Sequence, residues 1–289
     1  LGRALARVPP RRTAARAAAA AATPRGERPA PPQRRGRPQR PQQPQQQRGA
    51  PPEGLTIETV GGLRVAALNA DGLCEAKQCE LAALARELRL DVVAVVETHE
   101  GAQVKSVLDL PGYRWLGRPR PGSGRHRRGG VGFFVATPLL PRVRPMLRVE
   151  HDDSMWLCVK GSGSTLNLCA AYMPDASKPA DVISKAWAAL RADVDSMRGS
   201  GAEVVLMGDF NARVGSASCP GMRIGQYGEQ EPANRGGQAM LAFLQACDLY
   251  ALNGRAPGPP QYTRRRIFES RPPQQSVLDD IIVGSELFT

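Results

Sequence analysis

From residue 64 onward, apolar and polar positions alternate between two periods, and each period predicts a different element. Val65, Ala66, Ala67 and Leu68 form a short apolar run that ends in Asn69, Ala70, Asp71 and Gly72. Leu81, Leu84, Ala85 and Leu88 then recur at i, i+3, i+4 and i+7, the stripe of an amphipathic helix. Val92 to Val96 is a second apolar run, stopping at Glu97, Thr98 and His99. Strand, helix and strand in that order make the crossover unit that parallel strands require. Between Tyr113 and Tyr172 the pattern breaks into short runs near 113–116, 130–136, 142–149, 155–160 and 165–172. These are expected to pair as antiparallel hairpins. Ile183, Trp187, Leu190, Val194 and Met197 follow at helical spacing, and Gly199 and Gly201 bound that helix. Val204 to Met207 is a buried strand ending in Gly208, Asp209, Phe210 and Asn211. A Gly-rich polar loop over 215–233, a helix near 235–247 and short strands at 249–253 and 280–283 complete the pattern. Such a mixture over some 235 residues predicts one α/β domain, residues 54–289, of two packed mixed β-sheets with helices outside.

The charge changes the picture only at one end. The chain carries a formal net charge of +12. Residues 1–53 contain twelve Arg, no Lys and two Glu, which leaves 27 basic and 25 acidic side chains for the rest. The folded part is therefore close to neutral. The first 53 residues are built from Arg, Ala, Pro and Gln, with almost no large apolar side chain after Val8. Such a segment buries too little apolar surface to offset its ordering entropy, so it is expected to be disordered and dispensable for folding. It suits a non-specific nucleic-acid arm and equally a solvated linker. Its acid-free, Arg- and Ala-rich first 22 residues also resemble an organelle transit peptide. The chain begins at Leu1 rather than Met, so it is expected to be a piece of a longer protein.

Six Cys show neither a Cys-x-x-Cys pair nor zinc-like spacing with the three His, which favours buried thiols in a reducing compartment. No run of 18 apolar residues exists, so no membrane span is expected.

The candidate chemistry lies where the apolar runs stop. Asn69 with Asp71, Glu97, Asp209 with Asn211, and Asp279 with Asp280 each follow such a run. Rigid strands delivering polar groups to accessible loops are where open sheets place sites. Asp209 and Asn211 are two apart, so an extended backbone would face them the same way. A carboxylate beside a carboxamide suits a hard cation and a phosphate oxygen. Taken alone, the Gly-Asp-x-Asn segment reads equally as a turn or helix cap. Four such ends in one chain are much harder to treat as accident.

In order and spacing these segments resemble the endonuclease/exonuclease/phosphatase superfamily, and within it the endonuclease domain of non-LTR retrotransposons and the related apurinic-type endonucleases. The residues that carry the likeness are Asn69, Asp71, Gly72 and Leu73; Val96, Glu97, Thr98 and His99; Ala171, Tyr172, Met173 and Pro174; Gly208 to Ala212; and Ser276 to Asp279. The resemblance implies a four-layer α/β sandwich and a Mg²⁺-dependent (or Mn²⁺-dependent) phosphodiester hydrolase that nicks DNA. Glu97 would be the main metal ligand, with Asn69 and Asp71 beside it. Asp209 would position or deprotonate the attacking water. Asn211 would hold a phosphate oxygen, and the Tyr172 hydroxyl would contact the phosphate, although without the family Tyr172 reads as an ordinary strand-end aromatic. Asp279 would orient a catalytic His through its second ring N–H. The carboxylates of Glu97 and Asp209 and the amides of Asn69 and Asn211 are then expected to converge on one pocket on the order of 10 Å across.

The resemblance further implies DNA as partner, fusion to a downstream reverse transcriptase and an intracellular, nuclear location. Small-molecule or lipid phosphates, and a catalytically dead nucleic-acid-binding relic, are the rival readings. Arg118, Arg120, Arg125, Arg127 and Arg128 crowd one loop, and Arg264, Arg265 and Arg266 form a second cluster. Of these, Arg127, Arg128, Arg264 and Arg265 are the candidate backbone contacts to DNA, against the plainer reading of solvated basic loops. Aromatics do not interleave with these Arg, so base stacking is not expected.

Two departures from the family pattern stand out. The family's essential His lies in a Ser-Asp-His segment beyond the strand that follows Asp279, and neither His99, His126 nor His151 fits that role. A chain ending at Thr289 is therefore expected to be a weak enzyme or none. The residue after the Asp279 position is usually Tyr or His, and here it is Asp280. Likewise Arg264 stands where a Trp usually follows Tyr262 and Thr263.

Overall fold

A computed structural model describes residues 55–99, 110–120, 129–146, 149–161, 163–199, 201–215, 223–227, 231–255, 263–266 and 274–288. The expected tail over 1–53, Arg125, Arg127 and Arg128 lie outside these residues. Arg264 and Arg265 are described in backbone only.

Two mixed sheets form the body. The first joins β1 (Leu55–Val60), β2 (Leu63–Asn69), β3 (Val92–Val96), β4 (Tyr113–Arg118) and β5 (Val131–Ala136) in the order β1-β2-β3-β5-β4. The second joins β6 (Val143–Met146), β7 (Ser154–Lys160), β8 (Thr165–Tyr172), β9 (Glu203–Asp209), β10 (Leu249–Ala251) and β13 (Asp279–Gly284) in the order β10-β13-β9-β8-β7-β6. A separate ribbon pairs β11 (Arg264–Arg266) with β12 (Gln274–Ser276). The helices are α1 (Glu75–Glu87), α2 (Ala180–Arg198) and α3 (Arg235–Ala246).

Strand alternation builds the layers. Val65, Ala67, Val92, Ala94, Val96 and Phe133 of the first sheet share one apolar cluster with Leu157, Leu168, Ala170, Val205, Met207 and Ile281 of the second. Their intervening neighbours Ala66, Val93, Val95 and Phe134 pack with Leu81, Ala82 and Ala85 of α1. Trp156, Cys169, Val204, Leu206 and Ile282 pack with Trp187, Leu190 and Val194 of α2 and Met240 and Phe243 of α3. The result is helix, sheet, sheet, helix, the four-layer α/β sandwich expected.

Among the described strands, parallel pairing occurs in β2–β3 and β8–β9, each joined through a helix as a parallel crossover requires. The short strands between Tyr113 and Tyr172 are antiparallel but divide between the sheets. The chain leaves the first sheet through a 3₁₀ turn at Thr137–Arg142, and the described part of the expected strand over 142–149 is Val143–Met146. Cys74 and Cys79 are exposed, against the expectation of buried thiols, and both lie where α1 begins, outside the strands that bury Cys169.

Gly208 is the tightest point near the end of β9. Its φ is +138°, and a Cβ there would stand 2.2 Å from the Ala171 carbonyl oxygen. Both backbone strain and overlap with main chain oppose any side chain. Gly208→Ala is expected to cost about 2–5 kcal/mol in urea unfolding. A loss under about 0.5 kcal/mol, within the range of ordinary surface changes, would contradict the close approach.

Candidate active site

The parallel pairs deliver their ends to one edge. Asn69 closes β2 in register with Val96, and Tyr172 closes β8 opposite Asp209 of β9. Asp279 opens the antiparallel β13 directly across from Asp209. Asn69 Nδ2 donates to Glu97 Oε1 at 2.8 Å and to Asp209 Oδ2 at 2.7 Å. One amide of the first sheet thus ties the carboxylate just beyond β3 to a carboxylate of the second sheet, 140 residues from the amide. Asn69 Oδ1 accepts the Asp71 N–H at 3.0 Å.

The loops beyond the strands are held by main chain. Ala70, Gly72 and Leu73 N–H donate to the Val96, Glu97 and Thr98 carbonyls, while Thr98 and His99 N–H donate to Gly130 and Gly129. This lacing holds Asp71, Glu97 and His99 at φ of 39°, 52° and 54°. Asn211, at 48°, is a fourth left-handed residue at the site, out of six such non-glycine residues in the described chain. Each costs on the order of 1–3 kcal/mol, so the strain is concentrated where the polar groups meet.

Asn211 is not where an extended strand would put it. The strand ends at Asp209, and the Asn211 N–H turns back to Asp209 Oδ1 at 2.8 Å. Its side-chain amide donates to the Met173 carbonyl at 2.8 Å and is also hydrogen-bonded to the Tyr172 hydroxyl. The Tyr172 hydroxyl bonds to Glu97 as well. Burial first, then the charges of Glu97 and Asp209, push the Tyr172 phenol well up, so it stays protonated and able to donate.

Asp279 is buried with its N–H on Thr263 Oγ1 at 3.1 Å, and its Oδ1 has no hydrogen-bond partner among the described residues. Burial and then the Asp209 carboxylate push its carboxyl well up. Asp280, opposite Gly208, is buried too, and burial followed by Asp209 raises it to about 8.

Three residues at this edge went unassigned in the sequence. His99 Nε2 is buried without a hydrogen-bond partner among the described residues, 3.5 Å from Glu97 Oε2. Its placement two residues after Glu97 was the available signal, but the two side chains meet across a left-handed turn at Glu97 and His99 that the sequence does not show. Arg120 pairs with Asp153 through both carboxylate oxygens and lies 5.8 Å from the Tyr172 ring centre. Arg120 was visible only as part of a basic loop, and nothing in the sequence marks Asp153 as its partner. His151, by contrast, is buried with its N–H on Asp193 Oδ2.

Ligand atoms of Asp71, Glu97 and His99 all lie within 4.8 Å of one another. Two carboxylates and an imidazole with an unpartnered nitrogen fit a divalent cation. Fold and site together define a class of phosphoester-cleaving hydrolases. The chain belongs to the Endonuclease/Exonuclease/phosphatase family, which it matches over residues 66–287. Members of this family are hydrolytic nucleases and phosphatases. No curated protein matches the chain in sequence.

Several solved structures share the fold. The endonuclease domain of TRAS1, a telomere-specific non-LTR retrotransposon, is 16% identical with a TM-score of 0.53, over 78% of this chain and 87% of that one. The AP endonuclease LMAP from Leishmania major is 13% identical with a TM-score of 0.54, over 76% and 78%. The 3′ phosphatase NExo from Neisseria, bound to a product DNA hairpin, is 16% identical with a TM-score of 0.54, over 78% and 87%.

Proposed function

We propose that the domain is a metal-dependent DNA endonuclease of the retrotransposon type, nicking one strand by hydrolysis of a phosphodiester. The observation that supports this reading most is the bridge from Asn69 to both Glu97 and Asp209, which sets a metal-binding carboxylate beside a second, buried one. Glu97 and Asp71 would hold the cation, Mg²⁺ in this reading, which when bound neutralises charge growing on the phosphoryl oxygens. Asp209 aligns the attacking water and accepts its proton. When phosphate binds, the Tyr172 hydroxyl and the Asn211 N–H that now meets it would turn from Glu97 and from each other to donate to phosphate oxygens. Arg120, fixed by Asp153, adds positive charge beside Tyr172. Asp279 presents an unpartnered oxygen to a ring N–H that would orient an imidazole. Arg127, Arg128, Arg264 and Arg265 would track the DNA backbone. In that role the nick's 3′-hydroxyl would serve a reverse transcriptase, in the nucleus.

Supercoiled plasmid and inositol phospholipid, each with Mg²⁺ or Mn²⁺, separate the candidate substrates. The expected result is metal-dependent conversion of plasmid to nicked circles. It should be slow, because Asp279 has no imidazole partner among the described residues. Phosphate release from the lipid without nicking would replace DNA by a small phosphate ester as substrate.

A further inference from the structure

His99 stands at this edge without a role in the hydrolysis scheme. Its Nε2 is shielded from solvent, makes no hydrogen bond among the described residues and lies 3.5 Å from Glu97 Oε2. That distance is long for a hydrogen bond to a carboxylate. It suits two ligands of one ion, since metal–ligand bonds of about 2.0–2.2 Å place neighbouring donors roughly 3–4 Å apart. Asn69 engages the other Glu97 oxygen, Oε1, so Oε2 is the one that faces the imidazole. The ring is positioned by its surroundings. A Cβ on Gly72 would come within 3.1 Å of His99 Nδ1, and the His99 N–H is fixed to the Gly129 carbonyl at 2.7 Å.

We infer that His99 is a third ligand of the cation site formed with Asp71 and Glu97, and that its nitrogen shifts the site's preference from Mg²⁺ toward Mn²⁺, Co²⁺ and Zn²⁺. The inference rests on the reading of Glu97 as a metal ligand. Hard, strongly hydrated Mg²⁺ favours carboxylate, carbonyl and water oxygens, whereas imidazole favours the later divalent ions. An all-oxygen set would treat Co²⁺ and Mg²⁺ more evenly than a set containing one imidazole.

The test is metal binding by the 289-residue chain, read without turnover. Co²⁺ binding is followed by its visible absorption and Mg²⁺ binding by calorimetry, in the wild type, His99→Gln and Glu97→Gln. His99→Gln should weaken Co²⁺ by at least about tenfold. Mg²⁺ should change by less than about threefold, as an oxygen-held ion would. Glu97→Gln should weaken both. In the folded wild type, Co²⁺ should shift the ring resonances of His99 and spare those of His151, a readout that needs no variant. Co²⁺ affinity unchanged in His99→Gln, with Glu97→Gln still losing it, would overturn the imidazole ligand alone. Neither ion responding to Glu97→Gln would overturn the metal reading as well.

Discussion

Asp209→Asn is expected to lower phosphodiester cleavage by about 10²–10⁴-fold, the usual contribution of a positioned acid–base group. The side chain keeps its shape but can no longer take a proton from water. Two donors converge on this carboxylate, Asn69 Nδ2 on Oδ2 and the Asn211 N–H on Oδ1. An amide can accept only one of them, and its own NH₂ would face the other. The variant should therefore also lose about 1–3 kcal/mol of stability, the range for a buried donor left unsatisfied. Comparing rates well below the melting transition separates the two effects. DNA binding should change little, since Asp209 is buried and opposes phosphate rather than attracting it. A rate within threefold of wild type, with the stability loss present, would remove Asp209 from the chemistry and leave it a bridge between sheets.

Much of this edge was legible because each contributing strand is a fully buried apolar run that stops abruptly. Val92–Val96 and Val204–Met207 have no polar position to confuse, so Glu97 and Asp209 stood out at their ends. The period-3.6 stripes of α1 and α2 were equally plain, although α1 begins at Glu75, six residues before its first stripe position, behind an N-cap Cys74 that makes no side-chain cap. What could not be read is tertiary. Hairpin patterns report neighbours in sequence, but the division of β4–β5 and β6–β8 between two sheets depends on which faces the apolar clusters share. The left-handed turn at Asn211 is imposed by the Asp209 carboxylate and the Met173 carbonyl, which a local reading of an extended strand does not contain. His99 and the Arg120–Asp153 pair are likewise products of loops laced together from distant strands.

Asp280 makes the stability of this domain fall with rising pH. Burial, then the neighbouring Asp209 charge, holds its folded-state carboxyl at about 8, against about 3.9 in an unfolded chain. Between these values the native state keeps a proton that the unfolded state has released, so unfolding sheds it and stability declines as pH increases. The contribution is fully present below about pH 4 and lost once the pH passes about 8. Within that window the slope approaches about 1.4 kcal/mol per pH unit. Asp279, pushed up by the same burial and the same Asp209, adds a decline of the same sign. Asp280→Asn cannot ionise and should remove one of the two contributions. Urea unfolding between pH 5 and pH 8.5 should show wild type losing stability steeply and Asp280→Asn less so. The gap between them should widen by on the order of 3–4 kcal/mol across that range. Asp209→Asn, by removing the neighbouring charge, should move the wild-type break toward lower pH without abolishing it. Parallel pH profiles for wild type and Asp280→Asn would mean that the native protein already carries Asp280 ionised. Its burial opposite Gly208 would then not be enough to keep the proton on it.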